Sequence, residues 1–262
     1  MKENIYTISV MDAFHEESEC SLCILEKKQE EQYMNNLLNY TILDVQTRKE
    51  TNDLGFCRRH FEMMYNKPLK ELNRLGLAPL VESYLAGHNE RLKKMATRIT
   101  GILRERTPAS GFQKAFPLLN SKPKANVAGT VTELITELKD QGNKCYVCYW
   151  KDYQMGRYLE IVFLLWSKES DFRELFQQQK GFCRKHFCQL LEKAMEHLDQ
   201  DQASTFIPEL VAMQVANMER LHQEVSLFTK KMAYNNDELP WGTAKDALIR
   251  GIQKIAGYSN LK

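Results

Sequence analysis

The heptapeptide GFCRRHF occupies residues 55–61, and GFCRKHF occupies residues 181–187, 126 positions later. The two copies differ in one basic residue only. Cysteine and histidine are both metal ligands, and each copy places them three positions apart. Chance is a poor explanation for repeating two uncommon residue types at a fixed spacing. The repeat therefore predicts a duplicated chain with one pair of metal ligands in each half.

Each half also carries a CxxC pair upstream of its GFCxxHF segment, and the second pair lies 125 positions after the first. From the CxxC pair to the next cysteine the chain advances 34 residues in the first half and 35 in the second. Structural zinc sites take four Cys and His ligands. We predict two Cys3His sites, formed by Cys20, Cys23, Cys57 and His60 and by Cys145, Cys148, Cys183 and His186.

We expect each metal to be bound within one half of the chain. A straight helix of about 33 residues between the two ligand pairs would separate them by roughly 50 Å, so the segment must double back. Residues 167–170, SKES, mark such a break in the second half. Gly55 and Gly181 are suited to the left-handed conformation that ends a helix before each GFC segment.

Residues 107–129 are rich in Pro, Gly, Ser and Asn and form the natural linker. We place the boundary there, with a first repeat at 1–120 and a second at 121–262, as two domains or as one compact pseudo-symmetric domain. Offsets that drift from 125 to 129 along the two halves are typical of a duplication with loop insertions.

Apolar residues spaced by three and four predict a long helix from Leu77 to Arg106, with Pro79 in its first turn. The matching helix of the second half is expected to start at Pro208. Alternating β patterns are scarce. The predicted fold is all-α, with two tandem pseudo-repeats of antiparallel helices, each stapled by a Cys3His knuckle.

Composition and apolar runs restrict the location of the protein. The chain is 43% hydrophobic, which is enough for a core, and the first 20 residues contain no uninterrupted apolar run typical of a secretory signal. The most apolar stretch, residues 158–166, is interrupted by Glu160 and is about half of the roughly 20 residues that span a bilayer. We expect a cytoplasmic protein without a membrane span, whose CxxC pairs hold metal and not disulfides.

Zinc is the expected metal at both sites, and an iron–sulfur cluster with three Cys and one His remains the alternative. A c-type haem needs histidine directly after the second cysteine, where this chain has Ile24 and Tyr149. A thioredoxin-like motif needs a βαβ setting, which the helical pattern does not provide.

The basic residues within the repeated segment, Arg58, Arg59, Arg184 and Lys185, could suggest nucleic-acid binding. Three thiolates and one Zn²⁺ leave a charge of −1, however, and nearby cations balance it. Two such sites bring the formal net charge of +2 to zero. A neutral chain does not favour general nucleic-acid binding, and the expected partner is a protein.

Other chemically interesting residues fail to recur between the halves. Cys188 has no counterpart, lies two positions after His186, and is expected to be a packed apolar thiol turned away from the metal. By contrast, one charged pair does recur, as Glu90-Arg91 in the first half and Glu219-Arg220 in the second. The two glutamates are candidates for a hydrogen bond to a ligand histidine or for surface ion pairs.

The doubled CxxC and GFCxxHF segments and the closing PWGTAKDALIRGIQKIAG resemble an uncharacterised bacterial family known as a domain of unknown function. The resemblance covers nearly the whole chain. It implies a cytoplasmic helical protein with Cys/His clusters and no established activity. Some members are labelled as transporter substrate-binding proteins, a role for which this chain shows no signal peptide, lipoprotein cysteine or α/β pattern.

Two functional hypotheses follow. The first is a zinc-stabilised, non-enzymatic interaction module, because two complete ligand sets leave no open coordination position. The alternative is a metal-dependent enzyme or a metal or redox sensor, in which one Cys3His site is labile and a ligand such as His60 gives way.

Overall fold

The computed structural model of the chain describes residues 5–41, 44–66, 72–106, 127–232 and 240–258. These ranges are helical and contain no β-strand, which confirms the predicted all-α class. No helix in them combines the length and the apolar character needed to cross a bilayer. The described residues form eleven α-helices. A π-helical segment, Leu37–Thr41, follows the second helix, and a 3-10 turn, Gly242–Ala244, precedes the last. The helices are α1 (Ile5–His15), α2 (Ser21–Asn36), α3 (Val45–Leu54), α4 (Arg58–Asn66), α5 (Leu72–Arg106), α6 (Val127–Gly142), α7 (Tyr146–Lys168), α8 (Ser170–Gln177), α9 (Arg184–His197), α10 (Gln200–Met232) and α11 (Ala247–Ala256).

The chain divides into two compact units. Unit 1 comprises Met1–Glu31 and Lys151–Lys262, and unit 2 comprises Gln32–Trp150. Each unit takes residues from both sequence halves, because the chain leaves unit 1 within α2 and returns to it within α7. The boundary between the predicted halves, 1–120 and 121–262, lies outside the described residues and stays a prediction about the sequence repeat.

Unit 1 is built around an aromatic core. Phe14 of α1 packs on Phe172 and Phe176 of α8, with ring centroids 5.0 and 6.0 Å apart. Phe206 of α10 meets Trp166 of α7 edge to face at 5.0 Å. All five rings are buried, and each such burial contributes roughly 1.5–3 kcal/mol. The core thus fixes α8 immediately ahead of the second GFCxxHF segment.

Unit 2 has a smaller core in which backbones approach closely. A Cβ at Gly76 of α5 would lie 2.4 Å from the carbonyl oxygen of Leu38, so only glycine permits this contact. Leu80 of α5, Met64 of α4 and Val147 of α7 are buried in the same cluster. This packing brings the first turns of α4 and α7 together.

The glycine of each GFC segment has a positive φ, +62° at Gly55 and +77° at Gly181, but only Gly55 ends a helix as predicted, because α8 ends at Gln177 with Gln178 as its C-cap. The Gly55 N–H donates to the Thr51 carbonyl at 2.8 Å and ends α3, while the Gly55 carbonyl accepts from the Tyr146 N–H at 2.9 Å. In the second copy, the Gln214 side chain makes two hydrogen bonds with the Phe182 backbone, at 2.8 and 2.9 Å. Each GFC turn is therefore held by a distant part of its own unit.

The predicted starts of the two long helices are wrong. α5 begins at Leu72 and α10 at Gln200, so Pro79 and Pro208 lie inside these helices. At α10 the reason is a reciprocal cap: Asp199 Oδ1 accepts from the Gln202 N–H at 2.8 Å, and Gln202 Oε1 accepts from the Asp199 N–H at 3.3 Å. The predicted break at residues 167–170 is confirmed, since α7 ends at Lys168 and α8 begins at Ser170.

Candidate metal centres

The eight predicted ligands form two sets of three cysteines and one histidine, and within each set the ligand atoms all lie within 4.8 Å of one another. The prediction that each half binds its own metal is wrong. Each set joins the CxxC pair of one half to the CxxH pair of the other. Cluster A, in unit 1, consists of Cys20, Cys23, Cys183 and His186; cluster B, in unit 2, consists of Cys57, His60, Cys145 and Cys148.

The crossed pairing arises because each CxxC pair and the GFCxxHF segment that follows it belong to different units. Each pair lies at the start of a helix, α2 or α7, that carries the chain from one unit into the other. The 23 residues of α7 alone extend about 35 Å at 1.5 Å per residue. The chain reaches its next GFCxxHF segment in the other unit, where the CxxC pair of the other half already lies.

In cluster A, the ring of His186 faces the sulfur atoms through Nδ1. This nitrogen lies 3.4 Å from the sulfurs of Cys20 and Cys23 and 3.3 Å from that of Cys183. The sulfurs of Cys23 and Cys183 are 3.5 Å apart. All four side chains are buried. Cys183 directly precedes α9 and His186 lies in its first turn, so the helix start presents both ligands on one side.

Cluster B repeats this arrangement with less enclosure. His60 Nδ1 lies 3.2 Å from the sulfurs of Cys57 and Cys145 and 3.5 Å from that of Cys148. The sulfurs of Cys57 and Cys148 are 4.0 Å apart. His60 and Cys145 are buried, whereas Cys57 and Cys148 are half-buried.

These distances match the edges of a small tetrahedron. Bonds of about 2.3 Å to sulfur and about 2.0–2.1 Å to nitrogen place the sulfurs about 3.8 Å from one another and about 3.6 Å from the nitrogen. The sulfur–sulfur distances of 3.5 and 4.0 Å and the sulfur–nitrogen distances of 3.2–3.5 Å are close to these values. Each ligand set therefore fits one tetrahedral metal ion of its own.

A family model described as "Family of unknown function (DUF6062)" matches residues 1–262. The chain belongs to this family. No curated protein and no solved structure matches it. The Cys/His clusters therefore have to be interpreted from their own chemistry.

The thiols of each cluster shift one another's pKa values in opposite directions. Hydrogen bonds from Cys20 and Cys23 hold the pKa of Cys183 far below its ordinary value, burial raises that of Cys20, and the hydrogen bond to Cys183 raises that of Cys23 to about 12. In cluster B, the hydrogen bond from Cys148 lowers the pKa of Cys145 to about 3 and raises that of Cys148 itself. Each set has one readily ionised thiol, and a divalent cation would displace the protons of the others.

A carboxylate that the sequence did not point to supports the histidine of cluster A. Glu26 Oε2 lies 3.4 Å from His186 Nε2, the nitrogen opposite the sulfurs. Burial acts to raise the pKa of Glu26, but hydrogen bonds from Lys151 and Lys185 outweigh it and lower this pKa to about 2. His186 Nε2 makes no hydrogen bond within the described residues, so the carboxylate acts on the imidazole through its charge. The one signal for it in the sequence is spacing, because Glu26 follows Cys23 by one turn of α2.

The recurring acids predicted for this role are not the ones that fill it. Glu90 pairs with Lys93 at 2.8 Å on the surface, as the ion-pair alternative expected, and Glu219 is exposed. The basic residues of the repeated segment also have acidic partners: Arg58 pairs with Glu62 at 2.7 Å and Lys185 with Glu26.

A charge network surrounds the backbone next to Cys20. Glu19 is buried, and its carboxylate accepts from Arg220 at 2.7 Å and from Arg250 at 3.2 Å. Lys254 of α11 is also buried, and its Nζ donates to the Glu19 carbonyl at 2.6 Å. Burial lowers the pKa of Lys254, and the charge of Glu19 opposes this effect. The network attaches α10 and α11 to the CxxC turn of cluster A.

A pocket of about 670 Å³ opens beside this network in unit 1. Cys20 and Cys23 border it on one side, and Arg220, Arg250 and Glu224 on another. Both arginines are engaged by Glu224, at 3.1 and 2.5 Å, so the wall of the pocket is charged but internally paired.

Cys188 lies outside both clusters, as predicted, but it is not packed. Its thiol is exposed on α9, because a position two residues after His186 is rotated by about 200° around the helix, away from the buried side. The histidines that do not recur between the halves also lie outside both clusters: His15, His88, His197 and His222.

Proposed function

We propose that the chain is a cytoplasmic, zinc-stabilised helical protein that acts as a non-enzymatic interaction module. The observation that carries this proposal is the completeness of both ligand sets, each with four ligand atoms at tetrahedral spacing. Catalytic zinc sites keep one position open for water or substrate, whereas structural sites have four protein ligands. Each centre ties two distant parts of the sequence together, which is the role of a structural zinc.

The spacing of the ligands favours zinc over an iron–sulfur cluster. All four ligand atoms of each set lie within 4.8 Å of one another, which suits ligands that share one ion. In an iron–sulfur cluster the four ligands are distributed over different iron atoms, which requires wider separations. The visible absorption of the purified protein tests this choice of metal, because zinc is colourless and an iron–sulfur cluster is not.

Exposed apolar side chains on two neighbouring helices of unit 1 support the proposal that the partner is a protein. On α11, Leu248, Ile252 and Ile255 are exposed at helical spacing. On α10, Val211 and Val215 are exposed one turn apart. Such stripes are typical of surfaces that bind another helix or groove.

Elemental analysis and a variant comparison test the proposal together. We expect two zinc ions per chain, no visible iron absorption, and a co-purifying protein from the native cell that Ile252→Glu removes without changing the zinc content. Met195→Glu is the matched control, because Met195 is an exposed apolar residue on α9. Iron in the purified protein would contradict the choice of zinc. Equal binding of the partner by both variants would contradict the proposed binding surface on α11.

The second candidate, a metal-dependent enzyme or metal sensor, is favoured by the pocket that borders Cys20 and Cys23 and by the half-buried ligands of cluster B. A titration of thiol release against metal loss distinguishes the two. Metal loss that disorders the surrounding helices supports the structural module, whereas an ion that exchanges while the fold stays intact supports a sensor.

A further inference from the structure

The two clusters have the same ligand types but differ in enclosure. In cluster A, Cys183 and His186 are fully buried, and Cys20 and Cys23 are only 5% and 6% exposed. In cluster B, Cys57 and Cys148 are half-buried. Access to the sulfur atoms decides how quickly a chelator or an electrophile can attack a zinc thiolate. The difference therefore bears on the lifetime of each centre.

The C-terminal segment covers cluster A. A Cβ at Gly257 would lie 4.0 Å from the Cys183 sulfur, and the backbone of Tyr258 hydrogen-bonds to Cys23. The segment is held in place by the buried Lys254, through the Glu19 carbonyl, and by Lys27, whose amine donates to the Tyr258 hydroxyl at 2.9 Å.

Residues one turn after the two CxxC pairs form an ion pair beside cluster A. Glu26 lies 3.4 Å from His186 Nε2. The residue at the corresponding position after the other CxxC pair is Lys151, which pairs with Glu26 at 2.6 Å.

We propose that cluster B is an exchangeable site for soft divalent cations such as Zn²⁺ or Cd²⁺, and that cluster A is the permanent centre. This inference rests on the proposed metal binding. Release at cluster B separates the Cys57–His60 helix start from the Cys145–Cys148 helix start, and Cys145 belongs to the buried core of unit 2. Metal supply thereby controls the order of unit 2, while unit 1 keeps its zinc.

The test is a chelator challenge of the full-length zinc-loaded protein, with 4-(2-pyridylazo)resorcinol to record zinc release and iodoacetamide to label thiols, followed by peptide mass spectrometry. We expect about one zinc per chain to leave early and Cys57, Cys145 and Cys148 to be labelled with it, roughly tenfold faster than the cysteines of cluster A. The exposed Cys188 reacts from the start and calibrates the labelling.

Two results would overturn the inference. If Cys20, Cys23 and Cys183 are labelled first or at the same rate, the clusters are equally stable and only the structural proposal survives. If the protein carries no metal and all seven cysteines react at once, the proposed function itself fails. The proposed difference in metal exchange between clusters A and B then fails with it.

A variant pair tests the cause of the difference without altering a ligand. Lys254→Ala loosens α11 and should accelerate labelling of cluster A while leaving that of cluster B unchanged. Lys245→Ala, which removes an exposed lysine just before α11, is the control. Unchanged labelling of cluster A in Lys254→Ala would show that the C-terminal segment is not what protects it.

Discussion

The sulfur of Cys20 lies 3.4 Å from Nδ1 of His186, although 166 positions separate the two residues in the chain. Cys148 and His60 repeat this relationship at 3.5 Å across 88 positions. Each half of the duplicated sequence thus completes the candidate metal site of the other half. The arrangement is that of a swapped dimer joined into one chain, in which identical elements are exchanged between two copies.

Cutting the chain between its halves tests this exchange. A protease site introduced within residues 107–126 should yield two fragments that still elute together and retain two zinc ions, because each cluster and each core takes residues from both halves. Size-exclusion chromatography with metal analysis measures this. Pairing within the halves would instead give two separable fragments with one zinc each.

The sequence is sufficient to identify the eight residues that form the two clusters, because ligand type and the CxxC and CxxH spacings are local properties. It does not decide how the pairs combine. Either CxxC pair with either CxxH pair gives a Cys3His set, so spacing does not distinguish the two combinations. The choice depends on α2 and α7, which continue from one unit into the other, and their course is set by tertiary packing.

The start of α10 shows that a capping signal outweighs a proline. Asp199 and Gln202 have the spacing of a capping box, and they begin the helix well before Pro208. A proline inside a helix costs about 3 kcal/mol, yet burial of Phe206 and Leu210 on either side of Pro208 offsets a cost of this size. The role of Glu26 is hidden in the sequence for a different reason, because its partner His186 is adjacent only in the folded chain.

Cysteine substitutions provide a second prediction, on the assignment of the ligands. Cys183→Ser should lower the zinc content by about one ion per chain and should expose Cys20 and Cys23 to alkylation, because these residues share cluster A. Peptide mass spectrometry identifies the labelled thiols. Cys188→Ser is the control and should leave the zinc content unchanged, because Cys188 lies outside both clusters. Labelling of Cys145 and Cys148 in place of Cys20 and Cys23 would contradict the crossed pairing.

Glu26→Gln tests the carboxylate behind His186. The substitution removes the nearer acidic partner of Lys151, whose side chain is 8% exposed, and leaves Asp152 at 3.5 Å. Loss of this partner should destabilise the protein by about 1–3 kcal/mol. It should also weaken zinc binding at cluster A by roughly 10–100-fold. Chemical denaturation and competition with a chelator measure the two effects.

The matched control for Glu26→Gln is Glu62→Gln. Glu62 pairs with Arg58 at 2.7 Å, but the side chain of Arg58 is 92% exposed, and surface pairs of this kind contribute about 0–1 kcal/mol. We expect little change in stability and none in zinc affinity at cluster A. Equal effects of the two substitutions would show that Glu26 acts only as a surface charge.

Complete metal removal tests whether both centres are structural. Each cluster ties a CxxC helix start to a second helix start, so the free energy of zinc binding, on the order of 10 kcal/mol or more, becomes free energy of folding. A strong chelator should lower the melting temperature and open the regions around Cys20, Cys57, Cys145 and Cys183 to protease. Helical circular dichroism should fall only in part, because the core of unit 1 also buries five aromatic rings that are not ligands, Phe14, Trp166, Phe172, Phe176 and Phe206. A melting curve that stays in place after both ions have left would show that the clusters are not structural, and the metal-dependent enzyme or sensor would then be the better proposal.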